Sequence, residues 1–292
     1  MDSGTRPIGR RSGRDRVELV RALFPDLAAE LDAAAARYAV PGAAEALDER
    51  LDAAAARLMP HAAFADVAEP DAARRAERSF GAAREASAWL GIDVPEVEAF
   101  AAAGVDLGQL GSALAADASL TAVPAPFGCG ATAWQAAFTR AAEAVAGSPS
   151  GASSAPLAVD ASGASPLVLA TEAEKEFELL DAAPAGAPVV TESGVTWTLR
   201  LVPAGARPPV LGLGFSYGPH VTLPEMLMLQ LMLVAAGSAP VDAASFTWLD
   251  GPLAGGRLAA RHVYDESERA IRITCREMGN QGPHLGARTP IS

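Results

Sequence analysis

Lysine is almost absent from this chain: Lys175 stands alone, and the other 22 of the 23 cationic residues are arginine. That bias fits the GC-rich genome of a bacterium as readily as a functional choice of guanidinium over ammonium. Cysteine is nearly as scarce. Cys129 and Cys275 are too few for a disulfide framework, which predicts two reduced thiols and a cytoplasmic setting. The four histidines, His61, His220, His262 and His284, are scattered without H-E-x-x-H, H-x-H or C-x-x-C spacing, so no bound metal is expected. A Walker A sequence is missing, as is a G-x-G-x-x-G between strand and helix, and no cofactor is expected. Long apolar runs are missing too. The most apolar segment, Leu223 to Ala236, has 14 residues interrupted by Pro224, Glu225 and Gln230, too short to insert into a membrane, and the start has no signal-peptide h-region. Positive charge is outweighed by 35 acidic residues to a net -12, which argues against nucleic acid as a partner because phosphate contact needs a basic footprint.

What is abundant is alanine, with 67 in 292 residues and 44 of them before residue 151. Alanine-rich segments broken by Pro and Gly predict helices packed through small side chains. The segment LDAAAAR recurs at 31–37 and 51–57, which suggests a helical hairpin around Pro41-Gly42. Pro70-Asp71 opens a helix that should stop near Gly91, Pro95 opens another that Gly104 should end, and a last one should run from Thr132 to Gly147. Residues 147–166 are mostly Gly, Ser, Ala and Pro and read as a flexible linker with one short strand at Leu157 to Val159. Beyond Leu167 the period shortens. Glu176 to Leu180, Val195 to Val202, Val210 to Tyr217, Ser245 to Leu249, Leu258 to Tyr264 and Ala270 to Arg276 read as strands, with Leu223 to Ala236 as a helix buried on every side.

The expected fold is α+β: an N-terminal Ala-rich, bundle-like helical domain, a flexible linker, and a C-terminal, mostly antiparallel sheet packed on one apolar helix. The expected boundaries are a basic tail at 1–16, the helical domain at 17–146, the linker at 147–166, the α+β domain at 167–280 and a C-terminal tail at 281–292.

Gly214-Phe-Ser216-Tyr-Gly218 matches the G-x-S-x-G of a nucleophile elbow, and Asp250 or Asp265 followed by His284 supplies the chain order of a Ser, Asp, His triad. Against it stand Pro219 to Pro224, which delay the helix, and the lack of an upstream oxyanion loop, so the glycines are read as turn formers and Ser216 as structural. Cys129, between Gly128 and Gly130 before a helix, is read as a small buried residue rather than an activated thiol. The last hairpin is more informative. A turn centred on Glu266-Ser267 pairs positions that sum to 533, which sets Arg257 opposite Arg276 and Arg261 opposite Arg272 on one face, with Leu258, Ile271, Ile273 and Cys275 on the other. Those four arginines are the candidate partner- or anion-binding residues. The expected function is a non-enzymatic interaction or assembly protein that docks through this arginine face and an acidic helical module, onto a protein partner or its own helical domain; a serine hydrolase built on Ser216 is the alternative.

Overall fold

Proline and glycine punctuation sets the first helices close to where the sequence puts them. The computed structural model describes residues 70–147, 155–160, 162–209, 218–278, 282 and 284–292, all within the second of two compact units, Met1–Met59 and Pro60–Ser292. The basic tail, the repeated LDAAAAR and residues 210–217, Ser216 included, lie outside the described residues. Helix α1 spans Pro70–Leu90 and ends at Gly91, whose φ of 75° suits glycine. Helices α2 (Val97–Ala102) and α3 (Leu107–Ala116) follow, the second N-capped by Asp106, which accepts a 2.9 Å bond from the Gln109 N–H. Ala73, Ala76, Phe80 and Ala83 form the buried stripe of α1, and Phe80 meets Phe100 edge-on at 6.2 Å. Arg75 closes the C-terminal end of α3 by donating to the carbonyls of Leu114 at 2.6 Å and Asp117 at 3.0 Å.

Strand β1 (Leu120–Phe127) lies inside 17–146, the segment that the sequence assigns to a helical domain, between two of its expected helices. Helix α4 (Ala131–Ala146) comes next, followed by β2 (Leu167–Leu169), the short helices α5 (Thr171–Lys175) and α6 (Phe177–Leu180), β3 (Val190–Glu192) and β4 (Val195–Pro203). The stretch Glu176 to Leu180, read from sequence as a strand, is therefore mostly helical; Phe177 and Leu180 are its buried anchors. After helix α7 (Leu223–Ala235) come β5 (Phe246–Leu253), β6 (Leu258–Asp265), β7 (Ala270–Glu277) and β8 (Leu285–Ala287). The last strand replaces part of the expected C-terminal tail, and Ile291 bridges back to Leu201.

Two sheets result. In the first, β1 and β3 flank β4, both antiparallel to it. In the second the order is β2-β7-β6-β5-β8, antiparallel at its centre and parallel at its two edge pairings. The fold is α+β, with helices against two mostly antiparallel or mixed sheets. Helix α7 packs on α1, β1 and α4, and its apolar side chains are buried around almost the whole circumference, as its sequence implies.

The boundary expected at 147–166 falls inside this unit. β1 pairs with β4 over eight residues, from Leu120 with Pro203 to Phe127 with Thr196. The described part of the expected linker is held at both ends: Ser165 Oγ donates to the Gln135 carbonyl at 2.8 Å, Tyr264 Oη to that of Pro156 at 2.6 Å, and Leu157 is buried. Burying Leu157 and bonding those backbone groups hold the described part of this stretch against the rest of the unit. Expressed separately, residues 1–147 and 155–292 should each lack a cooperative thermal transition by circular dichroism and regain one on mixing; a fragment 155–292 that melts cooperatively alone would restore the two-domain division.

Candidate functional site

The β6–β7 hairpin keeps the faces expected from alternation but moves the register by two. Observed partners sum to 535: Ala259 faces Arg276, Arg261 faces Thr274 and Val263 faces Arg272. The turn spans four residues between Asp265 and Ala270, because the Asp265 carboxylate accepts from the N–H groups of Ser267 at 3.0 Å and Glu268 at 3.2 Å and so widens the loop. A shift of two leaves each side chain on its own face. Ile271, Ile273 and His262 point into the core, while Arg261, Arg272 and Arg276 stay on the outer face.

The four arginines are not equivalent. Arg272 is neutralised within the hairpin by Asp265, at 3.2 Å, and by Glu268. Arg261 lies with its Cζ 4.1 Å above the Phe246 ring and donates through Nε to Thr274 Oγ1 at 3.1 Å. Burial, and then the charge of Arg276, depress the pKa of Arg261. Arg276 is exposed, as is Arg257, whose Nε donates to the Ala254 carbonyl at 3.2 Å. Among the described residues no carboxylate lies within ion-pair distance of Arg257, Arg261 or Arg276. Beside them on the same face sits a small apolar cluster of Trp248, Ala259, Leu285 and Ala287, flanked by Phe246 and Met278. Gly286, between Leu285 and Ala287, leaves no room for a side chain, because a Cβ would run into the Pro209 carbonyl.

No family model, curated protein or solved structure matches this chain.

Of the proposed triad, Asp250 and His284 are described, and they lie apart. His284 is exposed and its carbonyl accepts from the Phe246 N–H at 2.7 Å, which sets it one position before the Phe246–Leu285 pair. Asp250 is five residues along β5 from that level, roughly 16 Å at strand rise. Asp250 sits instead on the irregularity of β5 between Trp248 and Pro252, bonded through its N–H to the Val221 carbonyl at 2.9 Å. Burial raises the pKa of Asp250, opposed by the Gly251 N–H and by the charges of His220 and Arg200. The imidazole near Asp250 is thus His220, a residue the sequence argument left aside. It packs on Gly218, where a Cβ would approach His220 Cε1 to 3.3 Å.

Cys129 precedes α4, but the Asp181 carboxylate occupies that helix start by accepting the Gly130 N–H at 2.7 Å. Burial and this neighbouring carboxylate push the Cys129 thiol up to about 11, so it is a protonated packing residue.

Two buried charge networks went unseen in the sequence. At the start of α7, Glu225 accepts two 2.5 Å bonds from Arg200, from Nε and Nη2, and 2.9 Å bonds from the Thr222 N–H and hydroxyl. The signal was present as Thr222-x-x-Glu225 before an apolar run, a capping box. In the second network, Asp242 accepts from Thr247 Oγ1 at 2.7 Å, His262 Nδ1 at 3.0 Å and Arg288 Nη2 at 2.5 Å. Gln230 Nε2 lies 3.1 Å from His262 Nε2, and the ring's Nδ1 faces Asp242. Arg288 also donates to the carbonyls of Pro203 at 2.6 Å and Gly205 at 2.9 Å. Among the described residues no group of three or more His, Cys, Asp or Glu is placed to hold a metal ion, and no helix is long and apolar enough to cross a membrane.

Burial works to raise the pKa of Asp242, but the hydrogen bond and charge of His262, the charge of Arg288 and the Thr247 hydroxyl outweigh it and hold the carboxyl below its usual range. A depressed folded-state pKa stabilises above the unfolded value, about 4, and that contribution fades as pH falls through the lower folded value. Asp242→Asn should therefore cost about 3–5 kcal/mol at pH 7, since it strands Arg288, and should flatten the acid limb of urea-denaturation stability against pH below about 5.

Proposed function

We propose that this protein is a non-enzymatic interaction or assembly protein, which docks on an acidic partner through the arginine-bearing outer face of its five-stranded sheet. The observation that supports this reading is the contrast on the outer face of one hairpin: Arg272 has its carboxylates, whereas Arg261 and Arg276 have none among the described residues. Guanidinium groups left without a carboxylate offer complementary charge to an acidic partner surface. The complementary sign is carried by the same chain, in which residues 17–147 sum to -10. The pair to reverse is Arg261 and Arg276 rather than Arg261 and Arg272, because Arg272 is already satisfied. Arg261→Glu with Arg276→Glu should leave the melting temperature within a few degrees, abolish docking measured by crosslinking with mass spectrometry in host cells, and remove the salt dependence of complexes seen by sedimentation. An unchanged crosslink pattern would reduce the face to a solvated one.

A second reading, a serine hydrolase using Ser216, has one observation in its favour: His220 and Asp250 are neighbours just beyond Gly218. A fluorophosphonate probe decides it. The interaction reading expects no labelling, and Ser216→Ala unchanged in stability to within about 1 kcal/mol; labelling of the wild type that disappears in Ser216→Ala would install the hydrolase instead.

A further inference from the structure

Asp250 is the one aspartate of the sequence that is followed by glycine; every other stands before a residue with a side chain. The pair Asp250-Gly251 falls in the irregular middle of β5, where the ladder to β6 joins Trp248 to Arg261 and resumes only with Pro252 and Ala259. Glycine is required there, because the φ of Gly251 is 103°, a value that L side chains rarely adopt. The half-buried Asp250 side chain folds back on the peptide that follows it, and its Oδ1 accepts the Gly251 N–H at 3.1 Å. The Val221 carbonyl meanwhile holds the Asp250 N–H at 2.9 Å, so the residue is fixed in place with its carboxyl against the next nitrogen.

The geometry points to Asp250-Gly251 as a site of spontaneous covalent modification, at which the chain closes to a cyclic imide and reopens as isoaspartate. The Gly251 nitrogen adds to Cγ of Asp250, and the carboxyl hydroxyl leaves as water with the proton that the nitrogen gives up. Water then adds to either carbonyl of the five-membered imide. Addition at the main-chain carbonyl carries the chain through Cβ and Cγ and leaves a free carboxylate on Cα; addition at the other restores aspartate. The first step releases one water and the second consumes one, so no oxidant or co-reactant is needed. Gly251 puts no Cβ in the path of ring closure. The neutral carboxyl is the reactive form, since hydroxyl departs from the acid as water while the carboxylate has no such leaving group. Burial favours that form by raising the pKa of Asp250, against the Gly251 N–H and the charges of His220 and Arg200, and Glu225 adds to the rise. The product is also accommodated. Isoaspartate adds one methylene to the main chain, and the extra length falls between Trp248 and Pro252, where no pairing with β6 has to break.

The test incubates the folded full chain at mildly acidic and at mildly alkaline pH and follows its proteolytic peptides by mass spectrometry. The peptide that holds Asp250 should first lose the mass of one water and then regain it with a changed retention time, several-fold faster at the acidic pH. The incubated protein should accept labelled methyl groups from S-adenosylmethionine and protein isoaspartyl methyltransferase. Electron-transfer fragmentation, which breaks the Cα–Cβ bond that isoaspartate places in the main chain, should locate the change at residue 250 in the wild type, whatever the behaviour of a variant. Asp250→Glu should remove the signal, because its six-membered imide closes far more slowly, with circular dichroism unchanged. A folded wild type that takes up no methyl groups would overturn the proposal, as would label that maps to another aspartate or that appears only after unfolding in urea. Equal rates at the two pH values would overturn it too.

Discussion

A single buried carboxylate, that of Asp242, conditions much of this architecture. An ionised carboxyl sealed from water is sustained only by donors that come to it, and its donors come from far apart in the chain: Thr247 on β5, His262 on β6 and Arg288 beyond β8. Asp242 itself takes a φ of 67°, uncommon for a residue with a side chain, and its backbone is held by the Ala206 carbonyl and the Tyr264 N–H. Arg288 then reaches the carbonyls of Pro203 and Gly205 at the end of β4, which ties the second sheet to the first. Gln230 connects the same cluster to the middle of α7. Each element that touches this hub is therefore fixed in position by electrostatics as well as by packing.

The second ion pair has a different task. Helix α7 is apolar almost all round, so its buried environment offers no gradient of polarity to set its rotation or its start. Glu225 and Gln230 supply that information, the first through Arg200 and the capping box, the second through His262 and the Val241 carbonyl. Specificity in this core comes from two polar residues on a helix that is otherwise interchangeable along its surface.

Local signals in the sequence located α1, α2, α4, α7 and the faces of the last hairpin, because caps, breakers and alternation act over a few residues, but they missed α3, α5 and α6. They did not locate β1. Its Pro124 and Pro126 argue against a strand, and the reason they are tolerated is positional: β1 is an edge of its sheet, and the two share one side of the strand, away from the bonding to β4. The Arg200–Glu225 pair was half visible in the capping box, but its cation is 25 residues away on another strand. The Asp242 cluster was invisible for the same reason, with Arg288 supplied from 46 residues downstream. The candidate site fared similarly. The arginines on the outer face follow from alternation alone, whereas which of them already has an acidic neighbour depends on how the Asp265 carboxylate shapes the turn.

The wide separation of β1 from its partner has a consequence for biosynthesis. When residue 127 is added to the growing chain, the strand that completes its sheet is still untranslated, and about 76 further residues must be added before β4 exists in full. The Asp242 carboxylate waits longer still for its guanidinium. Throughout that interval α1 has α3 and then α4 to pack on, but α7 and β4, which cover the rest of the core, are still missing, so the nascent chain exposes a surface in which alanine is abundant and small side chains offer less apolar area than the large aliphatic residues of α7. An alanine-heavy first half keeps the unfinished half of the protein less adhesive while it waits for the rest.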